Sequence, residues 1–372
     1  FFRGMQYANM VFGYGDVPWY DTRLDASDRD AMFKDRDPRT EVDRKIMEDF
    51  QFAMDNVRTN DGDLVINRYV VAAMVSRLAL REGTFLKYHN IDAALGNEMI
   101  KMAREAALIV MQSGQFSVSP DYNALFSSDD LAGNPEVIFY RKYLGGTLTH
   151  CVLTYNNAEA QTGANRALLE SYLTDDGHLD ASWNPETADE FFAGRDPRLT
   201  ETFRMKYYVR GEDCTPFNYS TSGYSMCKFM DDTQATSEDQ KYRGQNNETD
   251  CPLLRYSEVL LNYAEACYEL GELTQADLDA SINLIRRRSG MSIPDLQLLG
   301  NQPGVNGTAY DDPKRDPEVP AMLWEIRRER RVEMCFEGLR YSDLKRWKKL
   351  DYMCNESNPD IRYGAYIRYS DY

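Results

Sequence analysis

The stretch that most limits what this chain can fold into is Glu325 to Trp347, EIRRERRVEMCFEGLRYSDLKRW. Glu325, Glu329, Glu333 and Glu337 recur every fourth residue, so on a helix they form one slowly drifting stripe. Arg327, Arg328, Arg330 and Arg331 lie within i, i+3 or i+4 reach of them. Val332, Cys335, Phe336 and Leu339 supply an apolar face. Gly338 is placed to end the helix in a left-handed conformation, after which Tyr341 to Lys349 resumes with Leu344 and Trp347 on one side. A charge stripe is ordinarily a solvated surface. This one runs directly into aromatic and aliphatic residues, so several of its Arg and Glu residues are expected to be half buried and hydrogen-bonded to loops. An acid–base dyad fits poorly, because a carboxylate beside several arginines stays ionised.

Other stretches carry helical periodicity. Phe1, Met5, Ala8 and Phe12 start the chain in mid-pattern with no cap ahead, so upstream residues, including any export signal, are expected to be missing. Val42, Ile46, Phe50, Ala53 and Val57 mark a second helix, with Thr40 as its expected cap and Asp43 three residues on. Asn67 is expected to cap a third helix carrying Val70, Val71, Met74, Leu78 and Phe85, and a fourth runs from about Ile91 to Gln112. Leu253 to Leu270 reads as a helix, and Thr274 with Asp277 opens the next. From Gln115 to Asp250, Gly, Pro, Asn, Asp and aromatic residues interleave, with short strand candidates at Val137–Tyr140 and Met205–Val209. So long a stretch without periodicity is usually functional. The fold expected from the residues is mostly α, with helices at both ends, irregular structure between, and a hairpin from Leu253 to Met291 similar to a tetratricopeptide unit. The chain reads as a single domain, 1–372, with a helical scaffold at 1–113 and 251–350, a loop-rich face at 114–250 and an insertion at 291–320.

Composition narrows the function. The net charge of −17 disfavours nucleic acid and anionic membrane surfaces as partners and suits a neutral ligand. No apolar run approaches a transmembrane length. Seven cysteines include no C-x-x-C pair; Cys267 and Cys335 fall on apolar faces, and a Cys214–Cys227 bridge stays open. His89, His150 and His178 all lie in polar context. No nucleophile elbow, zinc, P-loop or dinucleotide motif is present, so no catalytic residue, metal ligand or cofactor is assigned, and calcium has no loop of the required spacing.

The Glu325–Trp347 stretch resembles the C-terminal signature of the SusD/RagB family of outer-membrane nutrient-binding lipoproteins, R-x-E-R-R-x-E-x-x-F-E-G-x-R-x-x-D-L-x-R-W. Arg327, Glu329, Arg330, Arg331, Glu333, Phe336, Glu337, Gly338, Arg340, Asp343, Leu344, Arg346 and Trp347 all match it. The run LRYSEVLLNYAEA at Leu254–Ala266 is similar to the family's second signature. Phe12 to Pro18 resembles its FGDVP turn, with Tyr14-Gly15 as a variation, and Arg195-Asp196-Pro197-Arg198-Leu199 its R-D-P-R-L turn, read here as the start of a helix rather than as chemistry. The resemblance implies tetratricopeptide-like helical hairpins forming an α/α superhelix with a large loop-rich ligand-binding subregion. It also implies a surface-exposed glycan-binding lipoprotein of a Bacteroidetes-type outer membrane. Such a protein hands oligosaccharides to a SusC-like TonB-dependent transporter and is held to the membrane only by a lipid anchor in the missing N-terminus. A peptide-binding RagB-like member is the alternative. A helical glycoside hydrolase or a tetratricopeptide scaffold for a partner's peptide are weaker readings.

The family signatures do not mark ligand residues, so candidates come from the loop aromatics. Flat aromatic rings complement the apolar C–H faces of sugars at low entropic cost. Trp19, Tyr20, Tyr155, Trp183, Tyr208 and Tyr219 are the candidate ligand-binding residues. Trp19 and Trp183 lead, because each sits among Pro, Asp or Asn with no apolar periodicity. Both are expected to contribute stacking without belonging to the core.

Overall fold

The computed structural model describes residues 1–60, 62, 64–154, 163–180, 183, 188–205, 220–230 and 244–365. Helix α1 (Phe2–Tyr14) buries Gly4, Ala8, Val11 and Phe12 and ends at Gly15, whose φ of 79° closes the last turn through a hydrogen bond to Val11 O. Helix α2 (Arg39–Asn56) buries the expected Val42, Ile46, Phe50 and Ala53. Its cap differs from expectation. Pro38 occupies the cap position and Thr40 lies inside the first turn. Proline's fixed φ serves a helix start well. Asp43, freed from capping, points into the interior.

Helix α3 (Arg68–Tyr88) is capped as expected: Asn67 Oδ1 accepts from the amides of Tyr69 (2.9 Å) and Val70 (3.0 Å). Asp92 caps helix α4 (Ala93–Met111) through the Leu95 amide. These two helices form the most extensive packing pair of the molecule. Gly83 and Gly96 face each other where they cross, and a Cβ on either would lie 2.7 Å from the other's carbonyl oxygen. The sequence Leu253–Leu270 is not one helix. Strand β1 (Val137–Arg141) pairs antiparallel with β4 (Cys251–Arg255), placing Phe139 opposite Leu254, and only then does helix α5 (Tyr256–Glu269) begin. Pro252 and the long-range partner explain the difference, since helical periodicity cannot see a strand 110 residues upstream.

Short strands β2 (Phe203–Met205) and β3 (Tyr224–Met226) pair on the loop side. The Thr274/Asp277 capping box forms and opens α6 (Gln275–Asp279), followed by α7 (Ile282–Arg286). The polar insertion builds a small antiparallel sheet of β5 (Gln297–Leu299), β6 (Gln302–Val305) and β7 (Thr308–Ala309). Helix α8 (Ala321–Glu333) and helix α9 (Arg340–Arg346) carry the signature. The helix stops at Glu333, a turn before Gly338; Gly338 does take the expected left-handed conformation (φ 78°), and Phe336 in the turn between takes it too (φ 63°). Two apolar clusters lie within the helical scaffold, and a third, around Tyr172, Phe191, Phe203 and Tyr224, lies under the loops. The architecture is the mostly α, hairpin-based fold expected.

Candidate ligand-binding face

The glutamates of α8 are deeply buried: Glu325, Glu329 and Glu333 are each at most 1% exposed. Each therefore needs charged partners; Arg328 of the same helix serves Glu325 and Glu329, and the others come from distant parts of the chain. Arg255, at the end of β4, reaches Glu136 and Glu333 at 2.7 Å and binds Glu337 through Nε (2.8 Å) and Nη2 (2.7 Å). Arg288 bridges the same Glu136 and Glu333, both at 2.7 Å. Lys228, fully buried after β3, donates to Glu337 (2.7 Å) and to the carbonyl of Cys335 (2.8 Å). Arg198 binds Asp196 and Glu333; its approach to Glu329 Oε1 at 2.7 Å is an ionic contact outside hydrogen-bond geometry. Arg286 ties Glu325 and Glu329 to α7, and Arg328 reaches the carbonyl of Ser171.

The electrostatic outcome is one-sided. Burial alone would raise these carboxyls, but the arginines outweigh it. Glu333 is held well below the usual carboxylate range by Arg288, Arg255 and Arg198. Glu329 is pulled down to about 2 by Arg198, Arg286 and Arg328. None of these groups carries a proton near neutrality, so none can act as a general acid. What the network does is mechanical. It fastens the start of β1, the 195–199 turn, the segment after β3 and the end of β4 to one helix. The Arg195–Leu199 turn does start a helix, Arg198–Thr202, and in addition supplies two members of this network.

The loop aromatics fall into three groups. Trp19 and Tyr20 are half-buried and firmly placed. The Asp37 carboxylate accepts from the Trp19 amide (2.7 Å) and from Lys34 Nζ (2.6 Å), and those bonds hold it below its usual range. The Tyr20 amide donates to Tyr7 Oη (2.8 Å) and its own hydroxyl to the carbonyl of Ala31 (2.6 Å). Tyr7 packs on Trp19 at 4.3 Å between ring centroids, Arg3 stands 4.9 Å from the indole, and Lys34 stands 5.8 Å from the Tyr20 ring. This is a fixed aromatic–cation platform beside α1.

Trp183 corrects the sequence reading. It is 7% exposed and belongs to the cluster of Tyr172, Phe191, Phe203 and Tyr224, with Arg195 at 4.7 Å from its ring. A polar, aperiodic neighbourhood in sequence did not mean a solvent-facing side chain. The residues that bury Trp183 come from separate segments and leave no local pattern. It sits in a different apolar cluster from Trp19, so the structure does not bring the two together. Tyr155, Tyr208 and Tyr219 lie outside the described residues, as does Cys214 of the Cys214–Cys227 pair. Residues missed by sequence reasoning are Glu136, Lys228, Arg255 and Arg288. Their signal was indirect: a buried glutamate stripe demands more cations than its own helix supplies.

Of the histidines, His89 meets the carbonyl of Lys345 (2.9 Å) and His150 that of Thr249 (3.0 Å). Among the described residues no group of three His, Cys, Asp or Glu side chains is disposed to hold a metal ion. No helix of the described residues is long and apolar enough to cross a membrane.

Residues 135–369 match the sequence model of the SusD family, and the protein belongs to that family. It is 24% identical over 366 residues to SusD-like protein P2 of Formosa agariphila, covering 94% of this chain and 64% of that protein. The chain thus spans just under two thirds of that relative's length. Its fold is similar to a SusD-like carbohydrate binding protein from Bacteroides fragilis, with TM-score 0.71 and 21% identity over 99% of this chain and 74% of the other. It is also similar to surface glycan-binding protein A from Bacteroides uniformis, with TM-score 0.58 and 15% identity over 100% of this chain and 72% of the other. The family signature is now interpretable in place. Glu329, Glu333 and Glu337 bind the loop face, while Arg330, Asp343, Arg346 and Trp347 lock α8 and α9 to Glu265 and Asn262 of α5.

Proposed function

We propose that this protein is a glycan-binding member of a nutrient-uptake system. It would capture an oligosaccharide on the face made by the Trp19–Tyr20 loop and residues 114–250, and pass it to a SusC-like TonB-dependent transporter. Its place would be the outward face of an outer membrane, held by a lipid anchor. Family membership and the carbohydrate-binding and glycan-binding relatives support the ligand class. The observation that carries the reading is the buried network, which anchors four separate loop segments to α8 with carboxylates that cannot take part in acid catalysis. Such a scaffold suits recognition by preorganised loops. Trp19 and Tyr20 are the described contact candidates, with Tyr155, Tyr208 and Tyr219 as further proposals.

Titration calorimetry against a panel of neutral oligosaccharides and a peptide mixture tests the ligand class. Trp19→Ala is expected to lose about 2 kcal/mol of binding, roughly thirty-fold in affinity, with its unfolding midpoint retained. Binding of peptides in place of glycans would transfer the protein to the peptide-capturing alternative. Release of cleaved sugar on long incubation would replace binding by hydrolysis. Recovery from native membranes with a large β-barrel partner tests the transport role, and recovery alone would remove it.

A further inference from the structure

A cavity of about 230 Å³ lies in the helical scaffold. It opens between α1, α3 and α9, and its lining includes Asn9, Arg77, Arg81, Arg330, Ser342 and Arg346. The charge in its wall does not balance. Arg77 is paired with Glu258, Arg330 with Asp343, and Arg346 with Glu265 and the same Asp343. Four guanidiniums thus meet three carboxylates, and Arg81 is the one left over. Its Nη1 donates to Asn9 Oδ1 (3.0 Å) and its Nη2 to the carbonyl of Ala8 (2.9 Å), both neutral, and its buried Nε has no partner among the described residues. Glu82, next to it in sequence, is taken by Arg39.

Arg81 is half-buried with its Nε shut off from solvent, and its other contact is the Phe12 ring at 4.4 Å. A guanidinium held there only by neutral groups is costly, and one anion would relieve it. We propose that this cavity binds a small, singly charged carboxylate, between acetate and a single uronic-acid residue in size. One negative charge matches the single excess cation. A planar two-oxygen group fits guanidinium forks better than a halide does. Asn9 and Ser342 add amide and hydroxyl groups at the rim. The volume equals roughly eight waters at about 30 Å³ each, which sets the upper size. Consistent with this, burial pushes Arg81 down to about 10, with Arg77 and Arg346 adding to the fall and Glu82 opposing it.

The test is calorimetry and thermal melting of the intact chain with sodium acetate and sodium glucuronate. Ionic strength is held constant with sodium chloride, and glucose serves as the uncharged control. Saturable binding of a carboxylate, a raised midpoint, and no response to glucose are expected. Arg81→Gln should weaken that binding about ten-fold or more. Asn9→Asp is the second variant, because it is isosteric and gives Arg81 a carboxylate of its own. It should raise the midpoint and abolish carboxylate binding, whether or not Arg81→Gln folds. Absence of carboxylate binding at millimolar concentration, equal binding of glucose, undiminished affinity in Arg81→Gln, or undiminished affinity or a lowered midpoint in Asn9→Asp would each overturn the proposal.

Discussion

Two buried acidic regions of this molecule behave in opposite ways. Around α8, Glu325, Glu329 and Glu333 are surrounded by Arg198, Arg255, Arg286, Arg288 and Arg328, and the carboxyls are driven down. Where α2 crosses α3, Arg39 is bonded to Glu82, and Arg81 and Lys345 act on Glu82 only through space. Both oxygens of Asp43 lack a hydrogen-bond partner among the described residues. Burial and then the charge of Glu82 push Asp43 up to about 8, and burial raises Glu82 as well. Asp43 and Glu333 are equally inaccessible, each 0% exposed. Burial therefore does not decide the protonation state of a carboxyl here; the number of cations within hydrogen-bond reach does. The first region works as a clamp at neutral pH. The second is a latent cost that grows as pH rises.

The largest effect is expected from Glu333→Gln, which leaves Arg198, Arg255 and Arg288 facing one another without their shared anion. A loss of about 3–5 kcal/mol is expected in denaturant titration at pH 7. The depressed carboxyls of the clamp contribute stability that is present above the unfolded pKa and lost as pH falls toward the folded one. The deficit of Glu333→Gln should therefore shrink in acid. A loss below about 1 kcal/mol at pH 7 would mean the network is no clamp.

Trp183→Ala asks whether apolar packing also fastens the loop side. Its place among Tyr172, Phe191 and Phe203 predicts a loss of about 3–5 kcal/mol of stability. An unchanged midpoint would return Trp183 to the list of ligand contacts.

Asp43→Asn reaches the other half of the comparison. A carboxyl held near 8 keeps, on folding, a proton that the unfolded chain releases near its ordinary pKa of about 4. Stability then falls as pH rises between those values. Asparagine copies the protonated form, so the variant should lose that slope and gain on the order of a few kcal/mol over the wild type at pH 8, with little change at pH 4. Denaturant midpoints at both pH values measure it, and parallel pH slopes in the two proteins would show that Asp43 is not held protonated.

The smallest effect is expected at Glu48→Ala, which breaks the exposed Lys45–Glu48 pair on α2. A change within about 0.5 kcal/mol, vanishing in salt, would set the baseline against which the buried groups are judged.

Part of this molecule was legible before any coordinates. The stripes of α1 and α2, the Asn67 cap and the Thr274–Asp277 box depend on residues no more than about one turn apart, and all four form. The Glu/Arg stripe was readable as half buried because its apolar neighbours share the same helix, though the structure buries Glu325, Glu329 and Glu333 fully. Its partners were not, since Glu136 and Arg255 are 119 residues apart and Lys228 and Glu337 are 109 apart. The same limit explains β4, whose pairing with β1 turned the first three residues of an expected helix, Leu253 to Arg255, into strand. The Trp19–Tyr20 loop kept its aromatic platform, whereas Trp183 was drawn into a core assembled from separate segments of the chain.

The chain's own order of residues thus settled periodicity, the Asn67 cap, the Thr274–Asp277 box and the demand for cations along α8. Tertiary structure alone decided which cations answer that demand, which carboxyls stay protonated, which tryptophan is buried and which arginine is left without a counter-charge. The reason is that local preferences act through bonds within a few residues. The energy of a buried charge or ring depends instead on what the fold brings within about 3–4 Å and on how little water remains there.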